Sequence, residues 1–243
     1  MRRLSAEDIV RVWEYGFNRN PVERYLALLA PAFPEMDRST LGTLTIGNRD
    51  LRLLALKERL SGTELKGVAR CPKCATELAF ALKTTDIRQG DYNQEMPPYF
   101  RENLEGFQLV YRLPNSFDQL TMMGAGDPDI AGRILLQRII HSAEYGNNAI
   151  AVDQLPPETL EALGDRINEL DPQSEIQFAM NCAACGYRWS ALFEVGHFVW
   201  REIRDQAKNI LNDVISLASA FGWAERDILE MTPQRREFYL DRL

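Results

Sequence analysis

Cys71-Pro72-Lys73-Cys74 and Cys182-Ala183-Ala184-Cys185-Gly186 decide how this chain is read, because together they hold all four of its cysteines. A two-residue spacer lets one tight turn aim both sulfurs at a single ion while backbone N–H groups face the thiolates. Zinc takes four tetrahedral ligands and binds thiolate sulfur at about 2.3 Å, so neither pair completes a site alone. Gly186 suits a turn that needs positive φ, and Pro72 stiffens the first turn. Strand-like segments flank both pairs, 65–70 and 78–82 around the first, 176–180 and 189–195 around the second. The reading is a zinc-ribbon-like pair of β-hairpins interrupted by a large insertion, with 107 residues, numbered 75–181, between the two cysteine pairs. Redox-active Cys-x-x-Cys usually opens a helix, a context that neither pair has. The expected metal ligands are therefore Cys71, Cys74, Cys182 and Cys185, with one structural zinc per chain tying the front of the chain to its back. Iron would fit the same cage. With all four ligands drawn from protein, no position remains for water or substrate.

Outward from the cysteines the chain reads mainly as helix. Ser5 caps a first helix with Ile9, Val12 and Trp13 on one face and Glu7 and Asp8 in its first turn. Asn20-Pro21 starts a second, which Pro31 and Pro34 end. A third begins near Asn48 and keeps Leu53, Leu56 and Leu60 at helical spacing up to Ser61-Gly62. Between the cysteine pairs, 107–113 reads as a strand, and 130–141 and 156–170 as helices. From His197 everything is helical: a long helix to Phe221, a short one over 224–230, and a last one opened by Thr232-Pro233. The fold class expected is α+β, mainly helical. Its parts are a helical region 1–62, a composite ribbon of 63–83 with 172–195, a mixed insertion 84–171, and a helical region 196–243.

Composition narrows the function. The 243 residues are 45% hydrophobic, enough for a sizeable core. A formal net charge of −7 argues against a general nucleic-acid binder, which needs a basic surface. Around the cysteines only Lys66, Arg70, Lys73 and Arg188 are basic, whereas binders cluster such residues. No stretch approaches the roughly 20 apolar residues of a membrane span. Met1-Arg2-Arg3-Leu4-Ser5-Ala6-Glu7-Asp8 meets carboxylates where a signal peptide would place its apolar core. The expectation is a cytoplasmic protein with reduced thiols.

No catalytic set is visible. The two histidines, His141 and His197, stand in no recognisable motif; the first reads as a helix end and the second as a helix start beside Phe198. Gly62 and Gly67 have Walker spacing, but Val68 stands where lysine is required. Gly124-Ala125-Gly126 precedes a helix, yet Asp127 and Asp129 would repel a phosphate there. The protein is read as a non-enzyme without a small-molecule substrate. In the last long helix, Trp200, Ile203, Ala207, Ile210, Val214, Leu217 and Phe221 recur with three–four alternation, and Val199, Leu211, Ile215 and Ala218 widen the stripe. Those four, with Arg235, Arg236, Phe238 and Tyr239, are the candidate partner-binding residues, against the plainer reading that the stripe is core.

Two stretches carry a family resemblance. One is Leu44-Thr45-Ile46-Gly47-Asn48-Arg49-Asp50-Leu51-Arg52-Leu53-Leu54-Ala55-Leu56, running into Ala69-Arg70-Cys71-Pro72-Lys73-Cys74. The other is Cys182-Ala183-Ala184-Cys185-Gly186-Tyr187-Arg188-Trp189, the long helix, Gly222-Trp223-Ala224-Glu225-Arg226-Asp227-Ile228-Leu229, and the ending Pro233-Gln234-Arg235-Arg236 with Tyr239-Leu240. Together they resemble the baseplate hub assembly chaperone family of T-even-like phages, especially relatives encoded with phage-tail-derived contractile injection systems. The resemblance covers roughly half the chain, and the order of the pieces carries it. It implies a chaperone whose partners are baseplate or hub proteins of a contractile tail or injection system. A permanent structural component of the baseplate, and a zinc-ribbon nucleic-acid-binding regulator, are the alternatives.

Overall fold

In the computed structural model, which describes residues 1–243, side-chain caps start five of the helices, including the first two. The elements are α1 (Ala6–Gly16), α2 (Pro21–Ala32), α3 (Arg38–Thr43), α4 (Ile46–Ser61), β1 (Glu64–Arg70), β2 (Glu77–Lys83), α5 (Thr84–Ile87), β3 (Phe100–Leu104), β4 (Phe107–Tyr111), α6 (Ser116–Met122), α7 (Pro128–Ile139), β5 (Ile140–Tyr145), β6 (Asn148–Ala149), α8 (Pro157–Leu170), β7 (Gln177–Asn181), β8 (Arg188–Leu192), α9 (Val195–Phe221), α10 (Glu225–Leu229) and α11 (Pro233–Leu240). Ser5 and Asp8 close a reciprocal capping box on α1, and Asn20 accepts from Glu23 N–H with Pro21 opening α2. The result is a mixed fold, mainly helical, with three small sheets.

The chain divides into two compact units. Met1–Arg38, Leu53–Leu65 and Glu194–Leu243 form the first, and Ser39–Arg52 with Lys66–Phe193 the second.

In the first unit α1 and α2 pack on α9. The contact is close because two glycines stand under aromatic rings. A Cβ on Gly16 would lie 2.3 Å from Trp200, and one on Gly196 would lie 2.5 Å from the ring of Tyr25. The Arg24 guanidinium lies over the indole, 4.9 Å from its centre, while Arg24 Nε donates to Gly16 O at 2.8 Å. Along α9, Val199, Trp200, Ile203, Ala207, Ile210, Val214 and Leu217 are all buried. The helix stops at Gly222, whose left-handed backbone (φ 71°) lets its N–H close on Ala218 O. α10 and α11 then fold back onto α9, sealing Val214, Leu217 and Ile228 beneath Trp223, Tyr239 and Leu240.

The second unit holds an antiparallel sheet in the order β3-β4-β5-β6. Leu109, Tyr111, Ile140 and Ala143 of the sheet bury against Ile139 at the end of α7 and against Leu163 of α8. Asp118, fully buried, receives Arg112 through two hydrogen bonds of 2.6 and 2.8 Å and Arg138 Nε at 2.7 Å. Burial alone would raise its carboxyl, but those two guanidiniums and the Asn115 N–H outweigh it and hold it below the usual range. The stretch 44–52 is bound into this unit as well. Ile46 N–H donates to Pro114 O, and Gly47 N–H to Asp171 Oδ2 at 2.9 Å. A Cβ on Gly47 would sit 1.9 Å from the same carboxylate, so only glycine fits. Each cysteine pair closes its own two-stranded sheet, β1–β2 and β7–β8.

Several sequence expectations need correction. Pro31 lies inside α2, whose last turn closes when Phe33 N–H reaches Leu29 O. α4 starts two residues before Asn48, with Thr45 Oγ1 accepting from Asn48 N–H. The helix expected over 130–141 ends at Ile139, and Ile140 turns into β5 to pair with β4. His141 is thus an exposed strand residue, its ring 5.3 Å from that of Tyr99. β4 stops at Tyr111, not at residue 113, and β3, β5 and β6 have no counterpart in the sequence reading.

The two kinds of glycine predict opposite outcomes. Gly16→Ala should destabilise the protein by about 1–3 kcal/mol, because the added methyl overpacks Trp200. Gly132→Ala, in α7 with nothing within 4 Å of the new methyl, should stabilise it by up to about 1 kcal/mol. Urea unfolding of the two variants beside the parent chain checks both signs.

Candidate metal centre

The two cysteine turns repeat one backbone pattern. In the first, Ala75 N–H donates to Cys71 O and Cys71 N–H to Thr76 O, each at 2.9 Å. In the second, Gly186 N–H donates to Cys182 O at 2.8 Å and Cys182 N–H to Tyr187 O at 2.9 Å. The residue after the second cysteine is left-handed both times, Ala75 with φ 61° and Gly186 with φ 69°. Pairing of β1 with β2 and of β7 with β8 fixes where each turn emerges.

The four sulfurs converge from 108 residues apart in sequence. They all lie within 4.8 Å of one another. Cys74 Sγ is 3.5 Å from Cys182 Sγ, and Cys71 Sγ is 3.7 Å from Cys185 Sγ. Sulfurs at the corners of a tetrahedron about 2.3 Å from a central ion would be about 3.8 Å apart, so the observed contacts suit such an ion. Cys71 and Cys182 are buried, Cys185 is partly exposed and Cys74 exposed. Electrostatics favours a cation in the same place. The Thr76 hydroxyl, 3.2 Å away, and the Thr76 N–H stabilise the Cys74 thiolate and bring it down to about 6. The Tyr187 N–H does likewise for Cys185, but burial and the neighbouring sulfurs of Cys74, Cys182 and Cys71 outweigh it and push that thiol up to about 12. Four sulfurs this close can all be ionised only around a positive charge. The site can hold a metal ion, and four protein ligands would fill a tetrahedral shell.

The other candidates are scattered. Gly124 and Gly126 lead into α7, where Asp127 Oδ1 accepts from Asp129 and Ile130 N–H and so occupies the place an anion would take. His197 sits in the first turn of α9 against Phe198. Of the eight residues read as partner-binding, two are corrected by burial. Val199 is 0% exposed and belongs to the first unit's core. Arg236 is also buried, its guanidinium 3.6 Å from Asp213, because α11 folds onto α9. Ile215 and Phe238 are exposed; Leu211, Ala218 and Tyr239 are half-covered, and Arg235 lies over the Tyr239 ring. Phe221, placed on the core stripe by periodicity, is instead exposed and stacks on Trp223 at 4.6 Å, since α9 ends beneath it. Ala75 and Thr76 escaped the sequence reading, although aligning Cys74-Ala75 with Cys185-Gly186 marks the first as a left-handed position.

A family model described as T4 bacteriophage base plate protein matches residues 27–200. This span includes both cysteine turns and the whole second unit. The chain belongs to that family, which makes it a phage baseplate-related protein. Neither the curated proteins nor the solved structures contain a match. No helix is long and apolar enough to cross a membrane.

Ala75→Gly should stabilise the first turn by about 1 kcal/mol, since an L side chain with φ near +60° costs roughly 1–2 kcal/mol. Gly186→Ala should lose a similar amount, with no steric term because nothing lies within 4 Å of the new methyl. Chemical denaturation of both variants under identical metal conditions measures the difference.

Proposed function

We propose that this protein is a non-enzymatic, zinc-stabilised chaperone for baseplate assembly of a contractile phage tail or injection system, acting in the cytoplasm on baseplate or hub proteins. The observation that carries the metal part is the convergence of Cys71, Cys74, Cys182 and Cys185 at tetrahedral spacing within a base plate family chain. Zinc suits an all-thiolate cage, needs no redox change, and leaves no coordination position for substrate. It would hold the ends of the segment 75–181 together and contribute its binding energy to folding. The partner surface we assign lies on the first unit, where Leu211, Ile215, Ala218, Phe221, Arg235, Phe238 and Tyr239 leave an apolar, partly aromatic face accessible. The family's own description, a base plate protein, favours one second reading, a permanent structural component.

Metal analysis of the reduced protein should give one zinc per chain. Cys182→Ser should release it and lower stability by several kcal/mol; absence of any metal in the parent protein would overturn this part. Co-expression with the baseplate proteins of the same system tests the rest. Ile215→Asp, at an exposed position, should change stability by no more than about 0.5 kcal/mol yet reduce co-purification of the partner. Full partner recovery by that variant would reject the surface. Finding the protein at fixed stoichiometry in finished particles would select the structural component over the chaperone.

A further inference from the structure

The sulfurs approach each other in an ordered way. Two contacts join the outer cysteine of one turn to the inner cysteine of the other. Exposed Cys74 faces buried Cys182 at 3.5 Å, and partly exposed Cys185 faces buried Cys71 at 3.7 Å. A disulfide needs sulfurs about 2 Å apart, and these two contacts lead across from one hairpin to the other. The turns themselves are pinned by paired backbone hydrogen bonds at Cys71 and Cys182.

We propose that the four-cysteine cluster is also a reversible oxidation site, which peroxide converts from a metal cage into two crossed disulfides, Cys74–Cys182 and Cys71–Cys185. Its starting state rests on the zinc reading above; the pairing rests on the sulfur contacts alone. The outer cysteine is the one a solvent-borne oxidant reaches. The Cys74 thiolate attacks one oxygen of hydrogen peroxide, breaking the O–O bond; the departing hydroxide takes a proton and leaves as water. Cys182 sulfur then attacks the sulfenic sulfur, forming the S–S bond and expelling a second hydroxide, which is also protonated to water. Two thiolates have lost two electrons, and one peroxide has been reduced. Cys185 and Cys71 repeat the step with a second peroxide. For the whole cage, four thiolates, two peroxides and four protons give two disulfides and four waters, and the ion is released. Both bonds run between the hairpins, so the segment 75–181 stays closed after the metal is gone. Bonds formed within each turn would leave it open.

The test treats zinc-loaded full-length protein with hydrogen peroxide, follows zinc with a metallochromic dye, and maps disulfides by non-reducing peptide mass spectrometry. One zinc should be released per chain, with Cys74 linked to Cys182 and Cys71 to Cys185. Dithiothreitol with added zinc should restore the starting species. Cys74→Ser should yield only the Cys71–Cys185 link. Links within Cys71–Cys74 and Cys182–Cys185, links between chains, sulfinic acids, or retained zinc would overturn the proposal. The same map on reduced, metal-free chain separates the two readings. Protein isolated without zinc removes the zinc assignment, whereas the peptide map of that chain still decides the crossed pairing.

Discussion

Four cysteine sulfurs from two distant parts of the chain meet within 4.8 Å, and that meeting joins the two hairpins that bracket most of the second unit. Each hairpin is a two-stranded sheet, a structure only marginally stable alone in water. Bringing their tips together closes a segment of 107 residues, an entropic cost that grows only slowly with length but must still be met. Mutual repulsion of thiolates opposes the same approach. A cation at the centre would reverse that term and link the hairpins, making its binding and their closure one equilibrium. The insertion between them adds its own core of Leu109, Tyr111, Ile139 and Leu163, which does not depend on the sulfurs for its burial.

What could be read in the sequence follows from how local each signal is. The cysteine turns were legible because chemistry, spacing and Gly186 all act within five residues. Ser5, Asn20 and Thr232 cap helices through side chains three positions away or nearer, and all three starts were recoverable. The four-stranded sheet was not. Nothing between Ile130 and His141 signals a stop, since neither proline nor glycine follows α7; β5 begins at Ile140 because β4 offers it partners. A strand specified by its neighbour leaves no mark of its own. The stripe of α9 shows the converse. Its six positions from Trp200 to Leu217 are core as periodicity implies, but Phe221 falls where the helix ends and nothing covers it.

Gly47 belongs to a stretch whose importance was visible only as a resemblance. Its physical basis is a close approach: the Asp171 carboxylate takes the space a side chain would need and accepts the Gly47 N–H. Burial raises the Asp171 carboxyl despite that bond. This contact spans 124 residues, and together with Ile46 N–H on Pro114 O it ties 44–52 to the middle and to the end of the insertion. The second unit is thus closed twice, once through sulfur and once through this backbone seam.

That double closure bears on where function resides. The family match runs from residue 27 to residue 200 and contains the second unit entirely, whereas α1, α10, α11 and most of α9 lie outside it. The family match therefore covers the second unit whole and the first only in part, whereas the partner surface assigned to α9 and α11 lies on the first and outside the match. These are physically separable claims. A metal held by all four cysteines would have a filled shell and no open coordination position, so under the proposed function recognition would fall to side chains elsewhere. The aromatic face of Phe221, Phe238 and Tyr239 combines the last residue of α9 with α11, whose Tyr239 packs against Phe221 and Trp223. Loss of the metal would then act on the second unit directly, and on partner binding only as far as the two units are coupled.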